Sequence, residues 1–108
     1  MNRGDAGKLS LTIIIDTEPI TEGYADDIEV TFNPDNTRCC VKKLLSKGEV
    51  VWDSENNEYA INLTQNDTFK MHDGDNKVQV RILKDNDVLS SDLTTFILGA
   101  VNSNEVLL

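Results

Sequence analysis

The sequence predicts an all-β domain, an antiparallel β-sandwich or a small barrel, and three observations carry that expectation. Short runs alternate apolar and polar side chains with a period of two, as in Leu9 to Ile15, Tyr59 to Leu63 and Lys77 to Lys84. Turn-forming clusters separate these runs at intervals of about 8–12 residues. Strands do not alternate with long helical patterns, so a parallel sheet is not expected. A chain of 108 residues fits one domain, 1–108, and buries about two-thirds of its unfolded surface without needing metals or disulfides.

In chain order, residues 1–8 form a polar, glycine-containing lead-in that includes Arg3-Gly4-Asp5. Leu9, Leu11, Ile13 and Ile15 place one face of the first strand inward, and Ile14 implies partial cover on the other face near its end. Asp16 to Asp27 is a polar connection in which Ile20 and Tyr24 are the bulky residues able to pin it to the core edge. Ile28, Val30 and Phe32 face inward from the second strand. Asn33-Pro34-Asp35-Asn36 is a turn, with proline pre-setting its backbone angle. Thr37 to Leu45 reads as an edge strand, where Lys42-Lys43 would discourage edge-to-edge pairing.

Glu49 to Trp52 is a short fourth strand, Asp53 to Asn57 a turn, and Tyr59 to Leu63 the fifth strand. The rhythm then changes. Thr64 followed three residues later by Asp67 is a capping-box start for one short helical turn, and Phe69 and Met71 are apolar enough to fold it onto the core. Asp73 to Asn76 reads as a turn, and Lys77 to Lys84 as the sixth strand. Asp85-Asn86-Asp87 is a hairpin tip, Val88 to Ser91 a short paired segment, and Leu93 to Leu98 the last strand. Residues 102–108 read as a flexible terminus, although Val106-Leu107-Leu108 is unusually apolar for one.

Composition bounds the function. Nineteen acidic against ten basic residues give a formal charge of −9, which repels the phosphates that nucleic-acid binding must neutralise. No apolar run approaches the ~20 residues needed to span a bilayer, so neither nucleic acid nor membrane is expected as a partner. The adjacent Cys39 and Cys40 point to opposite faces of a strand and are too close for an easy disulfide, which leaves two free thiols suited to a reducing cytoplasm.

No motif carries chemistry. His72 with Asp73 or Asp75 lacks the three or four ligands of a metal site. Counted from Asp73, a calcium loop would need glycine at its sixth position and glutamate at its twelfth, where Lys84 stands. Ser90 and Ser91 have no oriented base beside them. No catalytic residue, metal or cofactor is therefore expected. Trp52 and Tyr59, flanking a polar turn, offer one alternative: an aromatic platform for a sugar ring, set against the commoner use of such residues as core.

One resemblance extends further. The run Ile61 to Phe69, containing Leu63-Thr64-Gln65-Asn66-Asp67-Thr68, then Val78-Gln79-Val80-Arg81, then Ser90-Ser91-Asp92-Leu93 and Phe96-Ile97-Leu98, is similar to a family of small phage and prophage proteins of Gram-positive bacteria. Arg3-Gly4-Asp5 also fits that family's opening, whereas Asp16 to Asn57 fits only as strands and turns. These proteins resemble the N-terminal domain of siphophage upper baseplate proteins.

The resemblance implies an immunoglobulin-like antiparallel β-sandwich of about seven strands. It also implies a non-enzymatic structural role in a tail or baseplate, with other phage structural proteins or further copies of itself as partners. Such a protein would reside in the bacterial host cytoplasm before assembly and in the virion afterwards. The residues expected to anchor the motif or meet a neighbouring subunit are Gln65, Gln79 and Arg81, with Val106, Leu107 and Leu108 as a possible further interface. The alternative function is a carbohydrate-binding module for host cell-wall sugars, using Trp52 and Tyr59.

Overall fold

The computed structural model describes residues 6–15, 17–36, 38–71, 74–91, 94–98 and 103–107, the last two segments by their backbone pairing. Among these described residues, ten strands form two sheets. The first sheet holds β1 (Gly7–Ile15), β2 (Glu18–Pro19), β5 (Val50–Asp53), β6 (Glu58–Leu63) and β10 (Ser103–Leu107), in the order β10-β1-β6-β5 with β2 also on β1. The second holds β3 (Asp27–Phe32), β4 (Val41–Leu44), β7 (Gly74–Lys84), β8 (Asp87–Ser90) and β9 (Thr94–Leu98), in the order β4-β3-β7-β8 with β9 also on β7. The expected all-β sandwich is the observed one.

Alternation places the core between the sheets. Leu9, Leu11 and Ile13 of β1, Tyr59, Ile61 and Leu63 of β6, Ile28, Val30 and Phe32 of β3, and Val78, Val80 and Ile82 of β7 are all buried. Val41, Val50 and Met71 complete the cluster, and Ile20 and Tyr24 pin the β2–β3 connection to it as their bulk predicts. Tyr24 is held further by Lys84, whose ammonium lies 3.6 Å from its ring centroid and donates to its carbonyl at 3.2 Å.

The arrangement β5-β6-β1 against β4-β3-β7-β8/β9 matches strands D, E and B against C′, C, F and G of an immunoglobulin-like sandwich. Strands β8 and β9 flank the same side of β7. The register slips by one residue between them, from Arg81↔Ser90 to Val78↔Thr94, the offset that a β-bulge makes. Ser91 holds the bulge: its N–H donates to the Val80 carbonyl and its hydroxyl accepts from the Val80 N–H.

Several expectations are corrected. Edge strand β4 begins at Val41 rather than residue 37, and ends in a 3-10 turn, Leu45–Lys47, because Asp27 accepts from both the Ser46 N–H and its hydroxyl. Gly74 to Asn76 belong to β7 rather than to a turn, with Asn76 fully buried. Thr68, not Phe69, is the buried residue of the helical turn α1 (Gln65–Lys70); its hydroxyl is satisfied by the Gln65 carbonyl, so it can be buried cheaply, and Phe69 is left 54% exposed.

Residues 103–107, expected in a flexible terminus, form β10 and pair with β1 in parallel, the one parallel pairing among the described strands. Arg3 to Asp5, His72, Asp73 and Leu108 lie outside the described residues.

Candidate interaction surface

The two recognisable runs have separable jobs. In the first, Thr64 caps α1: its hydroxyl accepts from the Asp67 N–H at 3.2 Å, while the Asp67 carboxylate accepts from the Thr64 N–H at 2.8 Å. The same carboxylate meets Lys43 Nζ at 2.6 Å, and Glu49 stands 3.7 Å from that amine on its other side. Lys43 thus points inward from an edge strand, buried, and ties the second sheet to the turn that follows β6. Its neighbour Lys42 points outward, 4.0 Å from Glu29.

Burial would raise the Asp67 pKa, but the hydrogen bonds from Lys43 and Thr64 and the Lys43 charge outweigh it, holding the carboxyl below its ordinary value. A buried amine beside two carboxylates is also the raw material of an amide cross-link. That reaction needs a neutral amine and a protonated acid, and every donor aimed at Asp67 favours the carboxylate. The arrangement is an ion pair with a structural task.

In the second run, Val78, Val80 and Ile82 point into the core while Gln79 and Arg81 project from the opposite face, as alternation predicts. Gln79 Nε2 donates to the Ser91 carbonyl at 3.3 Å and thereby braces the bulge. Arg81 lies across from Glu29 on β3 and Ser90 on β8, and its guanidinium finds no hydrogen-bond or ion-pair partner at contact distance among the described residues. Gln65 is exposed at the start of α1, and only its backbone carbonyl is engaged. The three polar residues singled out by sequence are therefore not brought together. One braces the fold, and two face solvent from separate elements.

Around Arg81 the outer face of the second sheet carries apolar side chains in water. Leu83 and Val88 are a cross-strand pair, 40% and 61% exposed. With Arg81, Asp27, Glu29 and Leu44 they line a shallow groove of about 220 Å³. That is smaller than the ~300–1,000 Å³ of typical small-molecule pockets. It suits a side chain of a protein partner better than a metabolite.

Sequence reasoning missed Asn33 and Asn76. Asn33 sits at a positive φ of 52° directly after β3. Its Nδ2 donates to Asn76 Oδ1 at 2.9 Å and to the Cys39 carbonyl at 3.1 Å, and its Oδ1 accepts from the Lys77 N–H at 3.0 Å. The signal was present in the turn residue itself, since asparagine tolerates the left-handed region and carries both a donor and an acceptor; its partner 43 residues away was not readable.

Trp52 and Tyr59 are a cross-strand pair on the core side of β5 and β6, with rings edge-to-face at 5.0 Å. Tyr59 is 2% exposed and its hydroxyl donates to the Thr21 carbonyl at 3.0 Å. Burial, then the Glu22 charge, raises its pKa. Its ring offers no face to a sugar. Trp52 is half-buried beside an open hollow of about 370 Å³ lined also by Lys8, Asp53 and Glu55.

Cys39 and Cys40 are not joined in a disulfide. Among the described residues no three metal-ligating side chains cluster, and no helix is long and apolar enough to cross a membrane. No protein-family model matches this sequence, and no curated protein or solved structure matches it either.

Proposed function

We propose that the protein is a non-enzymatic assembly part of a phage or prophage tail or baseplate, acting through protein–protein interfaces. The outer face of β3, β7 and β8 is the contact surface. The observation that carries this reading is the cross-strand pair Leu83 and Val88, left in water beside the guanidinium of Arg81. The buried centre of a protein–protein interface is more apolar than the surrounding surface and is enriched in arginine. The sequence resemblance supplies the setting: the Val78-Gln79-Val80-Arg81 run that marks the family is the strand presenting that arginine. In this reading the protein waits in the host cytoplasm and becomes part of the virion, with other tail proteins as its partners.

The reading is tested by co-expressing the full chain with the products of its flanking genes. A complex with a flanking-gene product that assembles into tails is expected, and Leu83→Lys with Val88→Glu should abolish it. Flanking genes of metabolic enzymes, or a complex indifferent to that double substitution, would overturn the reading or the surface respectively.

A further inference from the structure

We infer that the free edge of β8 is a self-association surface, where β8 of a second copy pairs antiparallel, Leu89 against Leu89, across a two-fold axis. This goes beyond the assembly reading above. It uses the edge of the second sheet rather than its outer face, and it stands or falls without that reading.

The two edges of the second sheet are built differently. At one end β4 carries Lys42 outward and Lys43 inward, charges of the kind that folded proteins use to refuse a further strand. At the other end β8 reads Asp87-Val88-Leu89-Ser90, and after Asp87 it has no charge, proline or glycine. Its residues are all exposed, and among the described residues β7 is the only strand paired with it.

Backbone alternation decides which groups that edge offers. The Asp85-Asn86 tip is a tight two-residue hairpin, so Lys84 and Asp87 beside it are a hydrogen-bonded pair. Ile82 and Leu89 are the next such pair, and the Ser91 N–H donating to the Val80 carbonyl keeps the same phase. The N–H and C=O groups of Leu89 therefore point to β7, and those of Val88 and Ser90 point away from it. With Leu89 opposite its own copy, Val88 of each chain stands opposite Ser90 of the other. Both of those pairs then exchange both hydrogen bonds, which is strand addition with its main-chain groups satisfied.

The side chains select the same register. On the core side, Ile28, Ile82 and Leu89 form one cross-strand row. Ile28 and Ile82 are fully buried, whereas Leu89 at the end of the row is 41% exposed. A second Leu89 continues the row across the axis and covers its end. Charge agrees with this choice. A chain of net charge −9 can approach its own copy closely only along a strip that carries little charge. The Leu89 register sets the two Asp87 side chains at opposite ends of the paired segment, while centring on Val88 would bring them closer and place each against a leucine. The second copy is the fitting occupant because this strand is its own complement, and the two-fold pairing uses up both free edges.

The experiment uses the full chain. Sedimentation velocity over a range of concentrations reads the assembly, and urea unfolding checks the fold of each variant. Wild type is expected to shift from monomer to dimer as concentration rises. Leu89→Lys puts a charge on the core side of the edge, and Ser90→Pro removes only an outward N–H; both should remain folded monomers.

Cross-linking tests the register. In a background with Cys39→Ser and Cys40→Ser, Leu89→Cys and Val88→Cys are oxidised separately. Residue 89 would face its copy in a non-hydrogen-bonded pair, with α-carbons about 4.5 Å apart, within disulfide range. Leu89→Cys should therefore bridge into a dimer well ahead of Val88→Cys. Random collision predicts the reverse, since Val88 is 61% exposed against 41% for Leu89. A wild type that is monomeric at every concentration overturns the inference, and so does Val88→Cys bridging at least as well as Leu89→Cys. A dimer that survives both Leu89→Lys and Ser90→Pro overturns it too. Each result leaves the co-expression experiment with flanking-gene products to decide the assembly reading separately.

Discussion

Around Lys43 and Asn33 the sandwich buries polar groups and satisfies them, whereas across β7 and β8 it leaves apolar groups in water. The contrast falls within one sheet. On the inner side, Lys43 reaches Asp67 and Asn33 reaches Asn76, and no buried side-chain nitrogen or oxygen among the described residues lacks a partner. On the outer side, Leu83 and Val88 are exposed beside Arg81. Burying a polar group without a partner costs stability. Exposing an apolar one costs little in an isolated monomer and becomes useful when something covers it. The first region holds the fold, and the second is available for contact.

Substitutions should separate the two, and the largest effect belongs to Asp67. Asp67→Ala strips the closer partner from a buried amine and removes half of the capping box. A loss of about 3 kcal/mol in urea unfolding is expected. Lys43→Met should cost clearly less, because a methionine can occupy the inward position and Asp67 keeps its bond from the Thr64 N–H. Equal losses would mean that the ion pair is not what the region depends on.

Asn33→Ala comes next. It removes the side-chain hydrogen bonds of Asn33 and forces alanine to a φ of 52°, for a loss of about 2 kcal/mol. Asn33→Gly should recover the backbone part, roughly 1 kcal/mol, and leave the rest. Complete rescue by glycine would show that the hydrogen bonds to Asn76 and Lys77 contribute nothing.

Acid should act on the same region. The Asp67 pKa is held below its ordinary value of 3.8, so the unfolded chain takes up the proton first as pH falls. The stabilisation is therefore fully present above the ordinary value and is lost as pH drops through the lower, folded one. In the wild type this appears as a declining urea midpoint below about pH 4. Asp67→Ala should show a shallower decline there, and an identical slope would remove Asp67 from the account.

How much of this was legible follows from the distance over which each feature is encoded. The strands β1, β3, β6 and β7, the capping box of Thr64 and Asp67, and the hairpin tip at Asp85 and Asn86 are local patterns, and residue spacing reveals them. Both tip residues do adopt positive φ, as a tight two-residue hairpin requires. Lys43 could be placed on an inward face of an edge strand, but its partner lies beyond two further strands. Asn76 looked like a turn residue beside Asp73 and Gly74, because nothing local announces that Asn33 waits for it. β10 is illegible for a related reason: its partner is β1, far away in sequence, so its signal lies in the tertiary fold.

A smaller effect tests the bridge between the two regions. Gln79→Ala loses the bond to the Ser91 carbonyl at the bulge and should cost about 0.5–1 kcal/mol, because the Ser91 backbone and hydroxyl still hold Val80.

The smallest expected effect on stability is also the most direct test of the contrast. Leu83→Lys with Val88→Glu replaces the exposed apolar pair by a cross-strand pair of opposite charges. Urea unfolding of this double variant should give an unfolding free energy within about 0.5 kcal/mol of the wild type, while the variant loses its complex with the partner protein. A midpoint lowered as far as that of Asp67→Ala, with the complex intact, would show that this face holds the fold together and is not where the protein meets its neighbours.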